Sequence, residues 1–134
     1  MKRLLLIAAL LALPVTLLAQ YPLVRAFEVR PGQQRPRVDR IAQDSRGLIW
    51  AASDAGLLRT DGETVEVMAR FENERIAAIG ADGPGVVIAV SSGAVLRCGD
   101  ARCDTLLIDS LLSGARVSAI ARRHDGTLYI GTHG

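Results

Sequence analysis

The stretch Ile41-Ala42-Gln43-Asp44-Ser45-Arg46-Gly47-Leu48-Ile49-Trp50 decides the fold, because its pattern returns twice further along the chain. It recurs as Ile79-x-x-Asp82-x-x-Gly85-Val86-Val87-Ile88, at an offset of 38 residues that also carries Leu58-Arg59 onto Leu96-Arg97. A third copy begins at Ile120, where Gly126-Thr127-Leu128-Tyr129 matches Gly85 to Ile88 at an offset of 41 residues. A fixed period of this length signals a repeat architecture. Within each copy, runs of about four to six residues are divided by Gly, Asp or Asn, which is the punctuation of strands and turns.

The first unit shows how the pattern works. Residues 38–43 form a first strand, and Asp44-Ser45-Arg46-Gly47 a turn whose glycine can take positive φ. Residues 48–53 form a second strand, with Leu48, Trp50 and Ala52 on one face and Ile49 and Ala51 on the other. Both faces are apolar, so this strand is expected to be covered on both sides by neighbouring sheets. Asp54-Ala55-Gly56 turns the chain into a strand at 57–60, and Asp61-Gly62 is a strong hairpin signal leading to 64–68. The second unit repeats the series at 76–81, 86–91, 94–98 and 104–109. Four short antiparallel strands in about 40 residues is the arithmetic of a β-propeller blade. The expected fold is therefore all-β, with about two and a half four-stranded blades: 38–75, 76–116 and a truncated unit at 117–134. An open β-sandwich is the alternative that the same hairpins allow. A helical solenoid is disfavoured, because the one segment with helical spacing, 109–123, overlaps the first strand of the third unit.

Ahead of the repeats, residues 1–19 (MKRLLLIAALLALPVTLLA) place Lys2 and Arg3 before a nearly continuous apolar stretch. That start, the helix-breaking Pro14 and the small Ala19 before Gln20 read as a secretory signal peptide. The stretch falls short of the roughly 20 apolar residues of a bilayer span. An uncleaved anchor is the alternative, and either reading exports the remainder, with 20–37 as a lead-in. Of 134 residues, 16 are Lys or Arg and 14 are Asp or Glu. Without Lys2 and Arg3 the charges balance, so there is no net pull toward nucleic acid or anionic lipid. The length suits one small domain or a piece of a larger assembly and excludes most multidomain enzymes.

Chemistry-bearing residues are few. In an exported chain Cys98 and Cys103, which flank Gly99-Asp100-Ala101-Arg102, can close a disulfide across a hairpin turn. A loop this short would pin register more than it stabilises. His124 and His133 lack ligand-spaced partners, which disfavours a metal site. Asp44, Asp82 and Asp125 recur beside glycines and are read as turn caps rather than calcium ligands or acid/base groups. Trp50 and Tyr129 share one repeat position and are read as core. Gly80-Ala81-Asp82-Gly83-Pro84-Gly85 lacks the Lys-Ser/Thr and helix of a phosphate loop and is read as a turn. No Ser-His-Asp, Cys-His or paired-carboxylate arrangement stands out, so no catalytic residue and no cofactor is expected.

The first copy, continuing through Ala55-Gly56-Leu57-Leu58-Arg59-Thr60-Asp61-Gly62, resembles the two-component regulator propeller repeat, whose pattern is approximately I-x-Q-D-x-x-G-x-I-W-I-G-T-x-x-G-L-x-R-Y-D-G. Asp125-Gly126-Thr127-Leu128-Tyr129-Ile130-Gly131-Thr132-His133-Gly134 matches its middle more closely still. The second copy departs from it, with Ile88 in place of the Trp and Ala89-Val90-Ser91 in place of Ile-Gly-Thr; the first departs at Ala51-Ala52-Ser53 and Thr60. The signature positions are Asp44, Gly47, Trp50, Gly56, Asp82, Gly85, Gly126, Tyr129 and Gly131. The resemblance implies the periplasmic, non-catalytic input region of a sensor, followed in such receptors by a membrane helix and a histidine kinase. Its implied partners are a small extracytoplasmic ligand such as an oligosaccharide, and a second copy in a homodimer. Because Gly134 falls inside the third signature and propellers close with about four to eight blades, the chain is expected to be part of a longer sensor. The alternative is an exported propeller scaffold or part of a polysaccharide-active protein.

Overall fold

The computed structural model of the chain describes residues 24–27, 29, 36–100, 102–107 and 114–133. The signal peptide expected at 1–19 and most of the lead-in at 20–37 lie outside them, as does Gly134. Ten antiparallel strands occupy these residues, broken where Gly, Asp or Ser supplies the turn. The first sheet is a meander of β1 (Val38–Gln43), β2 (Ile49–Ser53), β3 (Gly56–Thr60) and β4 (Val65–Val67), hydrogen-bonded in chain order. A single 3-10 turn at Ala69–Phe71 leads to the second meander: β5 (Ile76–Ala81), β6 (Val86–Val90), β7 (Val95–Cys98) and β8 (Cys103–Leu107). The third sheet is the pair β9 (Arg116–Arg122) and β10 (Leu128–His133). The chain is all-β with blade-like four-stranded sheets, and there is no α-helix among the described residues.

Small differences from the expected boundaries have local causes. The third unit begins at Arg116 rather than 117, because Arg116 is already paired with His133. Residues 108 and 109, expected at the end of β8, lie outside the described residues. Gly80 and Ala81, grouped above with a turn, belong to β5, and the turn is Asp82–Gly85.

The three sheets stack face to face, with β5 lying between β1 and β9. Trp50, Ala52, Leu57 and Phe71 of the first unit meet Ile76, Ile88, Leu96 and Cys98 of the second. On the other side Ala78, Val87, Ala89 and Val95 meet Val117, Ile120 and Ile130 of the third. Gly80 lets β5 and β9 approach closely, since a Cβ there would lie 2.8 Å from the Ile120 carbonyl oxygen. Coverage on both faces explains why every residue of β6 is buried. The expectation that β2 would be equally covered fails: Trp50 and Ala52 are buried, but Ile49 and Ala51 are only half-buried. Their side of the sheet is the outer face of the stack, and Ile41 beside them is 67% exposed.

The register corrects one equivalence. Trp50 pairs with Ala42 and Arg59, and Tyr129 pairs with Ala121. In the second sheet the residue between Gly80 and Arg97 is Val87, not Ile88. The cause is the turn. Asp44 N–H reaches Leu48 C=O and Arg123 N–H reaches Thr127 C=O, but Asp82 N–H closes on Gly85 C=O, one residue sooner. Side chains alternate along a strand, so a one-residue change turns every position to the opposite face. Val87 therefore faces the third sheet as Trp50 faces the second, and Ile88 points back at Trp50. Tyr129 holds the Trp50 position but is not core. It is 53% exposed, because none of the described residues stacks against its face of the third sheet.

Candidate functional site

The meander topology sends the connections to two ends of the stack. The β1–β2, β3–β4, β5–β6, β7–β8 and β9–β10 turns lie at one end. The β2–β3 and β6–β7 turns and the chain entering β1, β5 and β9 lie at the other.

The first end is laced together by ion pairs. The Asp44 carboxylate, buried, accepts the N–H groups of Arg46 (2.9 Å) and Leu48 (3.0 Å), the Trp50 indole N–H (3.1 Å) and the Arg46 guanidinium (3.0 Å). Burial resists its ionisation, but the hydrogen bonds from Trp50, Arg46 and Leu48 together outweigh that cost and hold the carboxyl below its usual value. Asp100, in the β7–β8 turn, pairs with Arg46 and with Arg59 at 2.6 Å and so ties the second sheet to the first. Ser45 N–H adds a backbone link to Gly83 C=O at 2.8 Å. Asp82 pairs with Arg97 and with Arg122 (2.9 Å), tying the second sheet to the third.

These contacts predict a pH dependence. A carboxyl whose folded pKa is depressed stabilises the fold above its unfolded pKa, and that contribution is lost as pH falls through the folded value. Asp44 is joined in this by Asp100, held down by the Arg46 hydrogen bond, and by Asp61 and Asp125, held down by backbone N–H groups of Thr64 and Thr127 respectively. Resistance to urea is expected to fall as pH drops below about 4, and Asp44→Asn to flatten part of that fall. A wild-type urea midpoint unchanged from about pH 6 to about pH 3 would remove the linkage.

The recurring aspartates prove unequal. Register places Arg123, not Asp125, at the position of Asp44, and Asp125 at the position of Arg46, so the third turn carries the same pair with its charges exchanged (3.6 Å). Asp125 caps the Thr127 N–H at 3.0 Å, while Asp82 is held by arginines instead. Gly47 and Gly126 sit at matching positive φ of 88° and 92°. Gly85 lies against the Cys98 carbonyl, and Gly131 against Ala119. Cys98 and Cys103, directly opposite in the β7–β8 pair, are joined by a disulfide. None of these residues lines the cleft at the other end.

That end opens into a cleft of about 780 Å³. Its walls are the entering ends of β1, β5 and β9, the β6–β7 turn and His133 at the end of β10. Arg37, Arg75 and Arg116 occupy one repeat position: each precedes the first apolar residue of an innermost strand (Val38, Ile76, Val117). Their backbones are pinned. The Arg37 carbonyl accepts Asp54 N–H at 3.1 Å, and the Arg75 carbonyl accepts both Ser91 N–H (2.9 Å) and its hydroxyl (3.1 Å). All three arginines are exposed and line the cleft mouth. The Arg37 guanidinium pairs with Asp39 (3.0 Å), and Arg40, also in the lining, donates to Ala77 C=O (3.2 Å). Sequence reasoning missed this set. The signal was present as Arg-[Val/Ile]-x-x-Ile, repeated at Arg37, Arg75 and Arg116 on the same offsets as the main motif.

A second, apolar cleft of about 310 Å³ lies between the lead-in residues Ala26, Phe27 and Val29 and the outer face of the first sheet at Ile49, Ala51 and Leu58. Among the described residues, no three His, Cys, Asp or Glu side chains gather as a metal ion would require. Comparison with protein-family models, with curated proteins and with solved structures finds no match to this chain.

Proposed function

We propose that the chain is the blade-bearing part of a β-propeller that binds a small ligand outside the cytoplasm, as the non-catalytic input region of a two-component receptor. The observation that carries the reading is the cleft where the ends of the three innermost strands converge. Stacked four-stranded meanders whose first strands touch are what successive propeller blades look like, and in that arrangement the cleft lies beside the propeller axis. Four arginines and three serines are among its lining residues. Arginine stays protonated in proteins and so grips rather than exchanges protons. Export and linkage to a kinase rest on residues 1–19 and on the repeat signature. A membrane-spanning segment and a kinase core are expected in the full receptor.

A thermal-unfolding screen of the full chain against an oligosaccharide panel tests this reading. A ligand present at about 100 times its Kd stabilises by about 2.7 kcal/mol, which moves the midpoint by several degrees. At least one saccharide is expected to do so and to be recovered intact by chromatography. Cleavage of that ligand, or a panel with no shift at all, would refute the reading. An alkaline-phosphatase fusion after residue 134 is expected to be active, because the reporter folds only when exported.

A further inference from the structure

We infer that the arginine-lined cleft takes a ligand carrying two or more carboxylate groups, held by Arg75 and Arg116 with Arg40 beside them; this rests on the ligand-binding reading above and narrows it. Position is the first ground. Arg37, Arg75 and Arg116 recur at one place in each unit and line one mouth, so successive innermost strands bring arginines to a common opening. No requirement of the fold explains the recurrence, because their pinned groups are backbone atoms that any residue could supply.

Charge is the second ground. Among the described residues, four arginines line the cleft against one carboxylate, Asp39, and that carboxylate is already taken by Arg37. Arg40, Arg75 and Arg116 have no acidic partner among the described lining residues, in a chain whose residues beyond the leader are balanced overall. A guanidinium presents a planar fork of donors that matches a carboxylate in two parallel hydrogen bonds.

The lining also lacks something a neutral sugar would need. Among its described lining residues there is no Trp, Tyr or Phe, so a pyranose ring finds no aromatic face there against which to bury its apolar side. Ser91, Ser92 and Ser118 border the cleft, and their hydroxyl oxygens can accept from ligand hydroxyls while donating to Arg75 C=O, the Glu74 carboxylate and Gly131 C=O. Acidic saccharides and small hydroxylated polycarboxylates share this chemistry.

Titration calorimetry on the full chain with three probes (digalacturonate, citrate and neutral digalactose) tests the inference. An acidic probe is expected to bind at least about tenfold more tightly than digalactose and to weaken as salt rises. Preference for digalacturonate identifies an acidic sugar, and preference for citrate a small polycarboxylate; both support the inference. The double variant Arg75→Gln/Arg116→Gln should lose at least about tenfold in affinity while keeping the wild-type unfolding midpoint. Arg123→Gln, at the opposite end of the stack, should bind as wild type does. Digalactose binding as tightly as digalacturonate would overturn the anionic ligand yet leave the sensory reading intact. Failure of both acidic probes, or a double variant with unchanged affinity, would overturn the inference on its own.

Discussion

Trp50→Ala will cost about 3–5 kcal/mol of unfolding free energy, the largest loss expected from any single side chain. The indole is fully buried where the first and second sheets meet, among Leu57, Phe71, Ile88 and Leu96. It also donates to Asp44 and lies under the Arg59 guanidinium, 5.5 Å from the ring centroid. Truncation removes the wedge between two sheets and takes one donor from a buried carboxylate. Small domains hold about 5–15 kcal/mol in total, so the variant should be largely unfolded in mild urea. Trp50→Phe separates the two effects: it keeps most of the bulk and loses the N–H, at about 1–2 kcal/mol. Circular dichroism against urea reads both, since loss of the one Trp removes fluorescence as a probe. If Trp50→Ala stays within about 1 kcal/mol of wild type, the sheet-to-sheet contact is not what holds the stack.

The second large effect is expected at Gly56→Ala, with a cost of about 2–4 kcal/mol. Gly56 opens β3 at φ +110°, and a Cβ there would sit 1.9 Å from the Phe71 carbonyl oxygen. That atom is backbone, so relief requires moving the connection that carries the chain from β4 into β5. Amide exchange should accelerate there, at Phe71, Glu74 and Ile76. Gly62→Ala is the matched control: its φ is +95°, but nothing lies within 4 Å of the added carbon. It should show only the backbone strain, about 1 kcal/mol. Equal costs at the two positions would mean that the contact with Phe71 relaxes freely.

The strands were legible because their punctuation is local. Asp61-Gly62, Asp44 to Gly47 and Asp54-Ala55-Gly56 each end a run by turn chemistry that needs no knowledge of neighbours. Facing was less legible. Val86-Val87-Ile88 is apolar at every position, so alternation could not show which residues turn forward, and the closure of Asp82 on Gly85 decided it. Burial of Tyr129 was not legible at all, since it depends on what lies against the third sheet and not on Tyr129 itself. The cleft arginines escaped for a compositional reason. With 15 arginines in the chain, one more recurrence among them carried little weight until the strands brought three to a single mouth.

The shortened turn at Asp82–Gly85 limits how freely these units could be exchanged. The flanking strands β1 and β5, and β3 and β7, keep one common spacing, so they could be traded residue for residue. The strand between them could not. Transplanting 49–53 onto 87–91, at the motif's offset of 38, would set the indole at position 88, where it would point back at the first sheet rather than on to the third. Recombination between units, whether in a gene's history or at an engineer's bench, would have to carry each hairpin across together with its own turn.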